Sequence, residues 1–369
     1  MFSLWEQHAF MAADSVFATH KTLLESLAIV RASKSGTRMP NIHLTMAVND
    51  YDHIRDIVNG VVRPQGIDIT GLTMQVEEIF FRFLRGLEWD VSEMSFGKFC
   101  GVMSQPNPPI VGIPVFPSRV FRQSSVFINR KGKIKKAEDL KGRRIGIPEW
   151  SQTATIYMRG WLQHNCGVPL ASVKWFRSGI NEPGRIEVGN YKYPKGISIT
   201  QITDRSLAQM LVDGDLDAVF TAHPPRLFEE GHPDIVRLYP DYQKVEQAYF
   251  EETGVYPIMH TVAVKRDVYE KHPWVLGNLM NAFQEAKRRS IHRIMEMTAS
   301  QIAVPWGPDF ALKTGKKIFG DNEYWPYGIE PNRTTIATFL QFCYEQGVCH
   351  KKMKPEDLYP AGLDATFKI

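Results

Sequence analysis

Cysteine is scarce in this sequence, with only four among 369 residues. None of them shows the paired C-x-x-C spacing of a structural zinc site, so the sequence gives no support for one. Free, buried thiols are the simpler interpretation, and such thiols are typical of a reducing compartment. The four residues are Cys100, Cys166, Cys343 and Cys349.

Long apolar runs are missing as well. No stretch reaches the ~18 apolar residues that a membrane helix needs. Residues 1–40 carry Glu6, Asp14 and Glu25 and no sustained hydrophobic segment, which argues against a signal peptide. A segment at 12–32 is compatible with an amphipathic helix. We therefore predict a cytoplasmic protein that has no membrane partner and begins with an appended segment.

The sequence has no large excess of one charge. Its formal net charge is +4, and no Lys/Arg run is longer than a triplet, so no nucleic-acid partner is expected. Hydrophobic residues at 43% and charged residues at 23% are typical of a globular protein, and the length fits two domains. This small positive net charge is compatible with an anionic substrate that local arginines bind.

Several signatures of enzyme sites are absent. We find no phosphate-binding P-loop, no G-x-G-x-x-G, no H-E-x-x-H and no G-x-S-x-G. Asp213, Asp215 and Asp217 alternate, but the calcium-loop glutamate is missing, and we interpret the cluster as a helix end.

From residue 41 onward, short apolar runs alternate with helical patterns. A first set, at 42–115, includes a predicted strand at 73–76 and a helix at 77–85 that Gly86 ends. A second set follows at 144–230. This alternation predicts an α/β protein with largely parallel sheets.

Extended segments at 120–129 and 258–264 are interpreted as crossings from the first set to the second and back. This is the organisation of a two-lobed type-2 periplasmic-binding-protein-like fold, which binds its ligand in the cleft between the lobes. The predicted parts are an N-terminal extension at 1–40, a first lobe at 41–122 and 262–369, and a second lobe at 123–261. The Gly- and Pro-rich stretch at 178–199 is predicted to be a long, functional loop.

Polar side chains follow several predicted strands, at ends that would face the cleft. Hydroxyl groups at such positions can cap a helix or bind an anion, and single residues of this kind are more often structural. The candidates are Asp50, Tyr51, Asp52 and Ser95 in the first lobe and Glu149, Ser151, Thr153 and His223 in the second.

The crossings carry residues suited to an aromatic dicarboxylate. Arg119 and Arg122 offer planar guanidinium groups that match carboxylates, with a hinge ion pair as the alternative. On the return crossing, Tyr256 precedes His260, a side chain suited to move protons near neutral pH. Trp325 begins an aromatic turn that is predicted to pack either against the ring of an aromatic ligand or within the first lobe.

Seven segments in order resemble the 4,5-dihydroxyphthalate decarboxylase family. They are NDYDH (49–53), EEIFFRFLRG (77–86), DVSEMS (90–95), IPVFPSRVFR (113–122), EPGR (182–185), YPIMH (256–260) and WPYGIEPNR (325–333). Their order and spacing match from about residue 41 to the C terminus. The resemblance implies a cytoplasmic, cofactor-independent carboxy-lyase of phthalate catabolism, which converts 4,5-dihydroxyphthalate into protocatechuate and carbon dioxide.

For such an enzyme we expect His260 to donate or relay a proton, with Asp50 or Asp52 as partner of the ring hydroxyls. The expected carboxylate site is Arg119, Arg122, Ser95, Ser151 and Thr153, with Trp325 against the ring.

Some alternatives stay open. The sequence departs from the family pattern at Asn49, Gly97, Lys98 and Gln123, so a related hydroxylated or carboxylated benzoate is the second candidate substrate. A non-catalytic aromatic-acid-binding or sensor protein is the alternative from another class, because a fold does not determine a function. No cofactor is expected. A divalent ion among Asp50, Asp52, His223 and His260 stays open, and a homo-oligomer is compatible with the sequence.

Overall fold

The computed structural model describes residues 40–363, except for 188, 190, 300 and 321. The chain divides into two units, Met1–Ile42 and His43–Ile369. Apart from residue 40, the predicted N-terminal extension and its helix at 12–32 therefore lie outside the described residues. None of the helices that the structure describes is long and apolar enough to cross a membrane.

The described strands form two sheets. The first sheet has the order β2-β1-β3-β11-β4 and the second the order β10-β5-β9-β6-β7-β8. Their bounds are β1 (Ile42–Val48), β2 (Ile67–Thr73), β3 (Val91–Ser95), β4 (Ile110–Ile113), β5 (Val126–Asn129), β6 (Arg144–Ile147), β7 (Lys174–Arg177), β8 (Ile199–Gln201), β9 (Ala218–Phe220), β10 (Ile235–Arg237) and β11 (His260–Lys265).

Helices cover these sheets and connect their strands. The described α-helices are α1 (Asp52–Val58), α2 (Val76–Gly86), α3 (Phe96–Met103), α4 (Thr153–His164), α5 (Leu207–Val212), α6 (Arg226–Glu229), α7 (Tyr242–Thr253), α8 (Arg266–Lys271), α9 (Val275–Met295), α10 (Gly307–Phe319) and α11 (Arg333–Glu345).

Two sheets joined by two crossings confirm the predicted two-lobed, type-2 periplasmic-binding-protein-like α/β fold. Strand β11 follows the return crossing and lies between β3 and β4, antiparallel to both, so the first lobe is discontinuous in sequence. Within the sheets, β1–β3, β6–β7, β6–β9 and β7–β8 are parallel. The lobe boundaries at 41–122, 123–261 and 262–369 stay a prediction.

The core of each lobe follows from its apolar pattern. All five residues of β3 are buried, as expected for a central strand covered on both faces. In the second lobe, Phe127, Leu207, Leu211 and Val219 pack into one fully buried cluster.

Several predicted elements differ from the structure. The strand expected at 73–76 is β2, which ends at Thr73, and helix α2 already begins at Val76. Gly86 is the last residue of that helix, and Leu87 takes the left-handed conformation expected of the glycine, with φ 47°. Strands β8 and β10 and helices α7, α8 and α10 were not predicted, because their short or mixed patterns are weak local signals.

The two crossings run side by side. Arg119 and Ile258 form an antiparallel bridge, and the backbone N–H of Met259 donates to the carbonyl of Ser118 at 2.8 Å. This pairing brings Arg119 and Arg122 of the first crossing, and Tyr256 and His260 of the second, to the junction between the lobes.

Candidate active site

A cavity of about 920 Å³ lies between the lobes and is lined by both of them and by the crossings. The carboxyl ends of β1 and β3 lie at the same edge because the two strands are parallel, and they supply its polar residues from the first lobe. Helix α2 supplies an apolar wall through Phe80, Phe81 and Leu84.

His260 is one of three histidines that line this cavity, together with His223 and His350. It begins β11, where it pairs with Ser95 at the end of β3. Its Nδ1 lies 2.6 Å from Oε1 of Glu93, a carboxylate whose side chain is 0% exposed. Because a carboxylate only accepts, Nδ1 carries the proton, and Nε2 is the nitrogen left to act on a ligand. The ring edge also contacts Phe80, at 4.9 Å between centroids.

Two further donors hold the Glu93 carboxylate. The Tyr51 hydroxyl donates to Oε1 at 2.7 Å, and the backbone N–H of Asn49 donates to Oε2 at 2.9 Å. Burial, followed by the charge of Glu93 and this hydrogen bond, raises the pKa of Tyr51 far above its usual range. Tyr51 is therefore a fixed hydrogen-bond donor at physiological pH, and it lies 3.3 Å from Nδ1 of His260.

Arg122 is a buried cation that faces the cavity. Its Nη1 donates to the carbonyl of Ala222 at 3.0 Å, and Nε lies 3.0 Å from the sulfur of Met259, the neighbour of His260. Burial lowers the pKa of Arg122 to about 10, so it stays protonated at neutral pH. Among the described carboxylates none forms an ion pair with it. An unpaired buried guanidinium of this kind fits a carboxylate ligand.

The floor of the cavity joins the two lobes. The hydroxyls of Ser95 and Thr153 lie 2.9 Å apart, and Thr153 also accepts a hydrogen bond from the backbone N–H of Gly97 at 3.0 Å. A Cβ on Gly97 would lie 2.7 Å from the carbonyl oxygen of Ser151 and from Ile156. The absence of a side chain at Gly97 therefore permits this close approach.

A second polar cluster lines the cavity beside this floor. Lys98 contacts Oε2 of Glu149 at 2.9 Å, and Arg185 contacts Oε1 at 2.8 Å. Arg185 comes from the loop predicted at 178–199. At the mouth, His223 and Glu77 meet across the cleft at 3.0 Å, and this hydrogen bond is the main reason why the pKa of Glu77 is lowered to about 2.

The structure brings seven of the predicted site residues to the cavity and places the others elsewhere. Those that line it are Tyr51, Ser95, Arg122, Glu149, Thr153, His223 and His260. Whether they act as predicted stays open to test.

The positions expected for the two aspartates need correction. Asp50 points to the surface, where it pairs with Arg55, and Asp52 pairs with Arg293 of helix α9. Neither side chain lines the cavity, because the loop after β1 turns them toward α1 and α9.

The other corrected positions share a cause, because each side chain already has partners away from the cavity. Ser151 donates to the buried Glu187, and Arg119 binds Asn332 and stacks on the Tyr256 ring at 4.5 Å. Trp325 donates to the carbonyl of Phe116 and packs between His53 and Tyr256. None of Ser151, Arg119, Tyr256 and Trp325 lines the cavity, and the nearby aromatic wall is formed by Phe80 and Phe81.

Sequence reasoning missed Glu93 and Arg185 as site residues, and it noted Lys98 only as a departure from the family pattern. Glu93 had a usable signal, because a charged residue inside an apolar strand is almost never fully buried without a partner. Lys98 and Arg185 had no comparable local signal, since each is identified only by its contact with Glu149.

The four residues considered for a divalent ion do not converge. Asp50, Asp52, His223 and His260 each bind a different partner. In the described part of the chain, no three His, Cys, Asp or Glu side chains are grouped as a metal site requires. Independence from a metal stays a prediction.

Comparison with known proteins shows a similarity over nearly the whole chain and another over about half of it. No protein-family model matches the chain. A curated 4,5-dihydroxyphthalate decarboxylase of Comamonas testosteroni is 34% identical over 333 residues, which cover 90% of this chain and 100% of that protein. One from Pseudomonas putida is 37% identical over 206 residues, or 56% of this chain and 80% of that protein.

Among solved structures, a Bordetella bronchiseptica RB50 protein matches with a TM-score of 0.50 and 16% identity, over 88% of this chain and 96% of its own, and bears on the fold alone. The similarity to the Comamonas protein extends over that protein's whole length and includes the strand ends and crossings that build the cavity. This chain therefore belongs to the 4,5-dihydroxyphthalate decarboxylase family.

Proposed function

We propose that this chain catalyses the non-oxidative decarboxylation of 4,5-dihydroxyphthalate to protocatechuate and carbon dioxide. One observation carries the proposal: an oriented histidine, His260, and an unpaired buried arginine, Arg122, line the same cavity. The two relatives that bear the name of this activity support it.

The chemistry requires a proton donor next to the ring. Direct loss of carbon dioxide would leave an unstabilised aryl anion, whereas protonation of the ipso carbon first avoids it. In the proposed step, the protonated His260 delivers the proton from Nε2 to that carbon. The bond to the carboxylate then breaks, and its electron pair restores the aromatic ring. Glu93 holds the imidazole in place and stabilises its protonated form.

Arg122 supplies the counter-charge in this proposal. Its guanidinium binds substrate carboxylate through charge-assisted hydrogen bonds, while the phenyl rings of Phe80 and Phe81 provide an apolar surface for the ring. The protonated ring takes up the electron pair, so this route has no need of an organic electron sink. Independence from metals and cofactors is part of the proposal.

The proposed location is the cytoplasm. Cys100, Cys343 and Cys349 are buried free thiols, which a reducing compartment preserves. Fractionation of cells that express the full chain, with marker enzymes for each compartment, tests this: recovery with periplasmic markers would contradict it.

The decisive experiment mixes chelator-treated protein with 4,5-dihydroxyphthalate and follows carbon dioxide release and the ultraviolet spectrum of the ring. Formation of protocatechuate without added cofactor is the expected result. Binding without conversion would instead indicate an aromatic-acid-binding protein, and the absence of binding would refute the substrate. Activity that returns only with added metal would refute the metal-independent part.

A further inference from the structure

We propose that Glu149 is the acceptor for a ring hydroxyl of the substrate, which makes it the residue that selects a hydroxylated ring. This inference rests on the proposed function, since it assigns the end of the substrate opposite the carboxylates. It also provides the hydroxyl partner that Asp50 and Asp52, which lie outside the cavity, do not supply.

Glu149 keeps room for one more donor. Oε1 accepts from Nε and Nη2 of Arg185 at 3.0 and 2.8 Å, and Oε2 contacts Lys98 at 2.9 Å. A carboxylate offers about four lone-pair positions. Three are used by these donors from the described residues, which leaves one on Oε2 for a hydroxyl.

The negative charge of Glu149 determines which end of the ligand it binds. Burial by itself raises the pKa of its carboxyl, but the neighbouring charges of Lys98 and Arg185 outweigh it and bring the pKa below its usual value. A carboxylate that is ionised at neutral pH repels the carboxylates of the substrate and accepts from its hydroxyls. Arg122 has the charge of Glu246 nearby but no carboxylate within ion-pair distance among the described residues, and it attracts the carboxylates.

A series of contacts along the cavity floor links His260 to Glu149. His260 pairs with Ser95, whose hydroxyl meets that of Thr153, and Glu149 precedes Thr153 in the turn that begins α4. Lys98 follows Ser95 by one turn and reaches Glu149 from the first lobe. In the proposed orientation, a flat ring over this floor has its carboxylates near Arg122 and His260 and a hydroxyl near Glu149.

The test measures affinities for 4,5-dihydroxyphthalate and unsubstituted phthalate by titration calorimetry, in a His260→Ala background that suppresses turnover. Glu149→Gln should weaken binding of the dihydroxylated ligand about 10- to 100-fold, as expected for loss of a charge-assisted hydrogen bond. Binding of phthalate should change less than threefold. The matched control is Asp56→Asn, because Asp56 is also a buried carboxylate held by two cations, Arg289 and Arg293, but lies outside the cavity.

Equal weakening of both ligands would overturn the inference, because it would show that Glu149 only positions Lys98 and Arg185. A ligand-side test does not depend on the folding of any variant. In the His260→Ala protein, 4,5-dimethoxyphthalate cannot donate and should bind no better than phthalate. Affinity equal to that of the dihydroxy compound would overturn the inference.

These outcomes are separate from the proposed reaction. If the unmodified protein decarboxylates 4,5-dihydroxyphthalate but shows no preference for the hydroxylated ligand, the role of Glu149 is refuted and the proposed reaction stands. Selective binding without any decarboxylation by the unmodified protein would keep the role of Glu149 and refute the proposed reaction.

Discussion

At the scale of single residues, the proton donor can be tested most directly. Proton transfer by a placed side chain typically contributes ~10²–10⁴-fold to a rate. His260→Ala should lower kcat by that order, measured as carbon dioxide release by protein that circular dichroism shows to be folded. His43→Ala is the control, since His43 is an exposed residue whose ring contacts Thr70. A kcat within threefold of the wild type would remove His260 from the mechanism.

A second residue, His53, predicts acid sensitivity. Its Nε2 is buried without a hydrogen-bond partner, and burial lowers the pKa of His53 to about 4, against about 6.5 in an unfolded chain. Between these values the unfolded state binds the proton and the folded state does not, so stability falls as the pH decreases from 6.5 to 4. The loss amounts to about 3 kcal/mol.

Urea unfolding at several pH values checks this prediction. His53→Phe cannot bind a proton and should lose that share of the pH dependence. If the wild type and the variant lose stability in parallel between pH 6.5 and 4, other groups are responsible.

At the scale of elements, helices α3 and α4 meet where Gly97 lies against Ser151 and Ile156. An added methyl would lie 2.7 Å from both, and overpacking of this kind typically costs about 1–3 kcal/mol. Because the contact joins the two lobes, Gly97→Ala should weaken binding of 4,5-dihydroxyphthalate about 10-fold and lower the Tm.

The control for this prediction is Gly277→Ala in helix α9. A Cβ there meets nothing within 4 Å, and alanine should stabilise the helix by about 0.4–1 kcal/mol. Similar behaviour of the two variants in thermal unfolding would show that the contact at Gly97 is not tight.

At the scale of the whole molecule, substitutions of Arg122 and Arg119 separate effects on ligand binding from effects on the stability of the fold. A ligand at about 100 times its Kd stabilises a folded protein by about 2.7 kcal/mol. Arg122→Met should abolish the rise in Tm that phthalate produces and keep or raise the Tm of the free protein, because it removes an unpaired buried charge.

Arg119→Met should behave in the opposite way. Loss of the contacts with Asn332 and Tyr256 should lower the Tm of the free protein, while the rise produced by phthalate is retained. If phthalate still raises the Tm of the Arg122→Met variant, the ligand carboxylate binds at a residue other than Arg122.

Much of the architecture follows from local pattern. The sets predicted at 42–115 and 144–230 both consist of alternating strands and helices, and the two crossings were located from the extended segments that follow the sets. Burial periodicity and turn residues act over a few positions, so the sequence contains them directly. The presence of His260 and Arg122 at the crossings was predicted for the same reason.

Orientation toward the cavity was decided by tertiary contacts. Arg119 and Arg122 are three residues apart on one crossing, yet only Arg122 lines the cavity, because Asn332 and Tyr256 hold Arg119 on the other side. Glu93 meets His260 across 167 positions of sequence, in a register set by β11. Contacts over such distances depend on how strands pair and lobes approach, and no local pattern of residues encodes that choice.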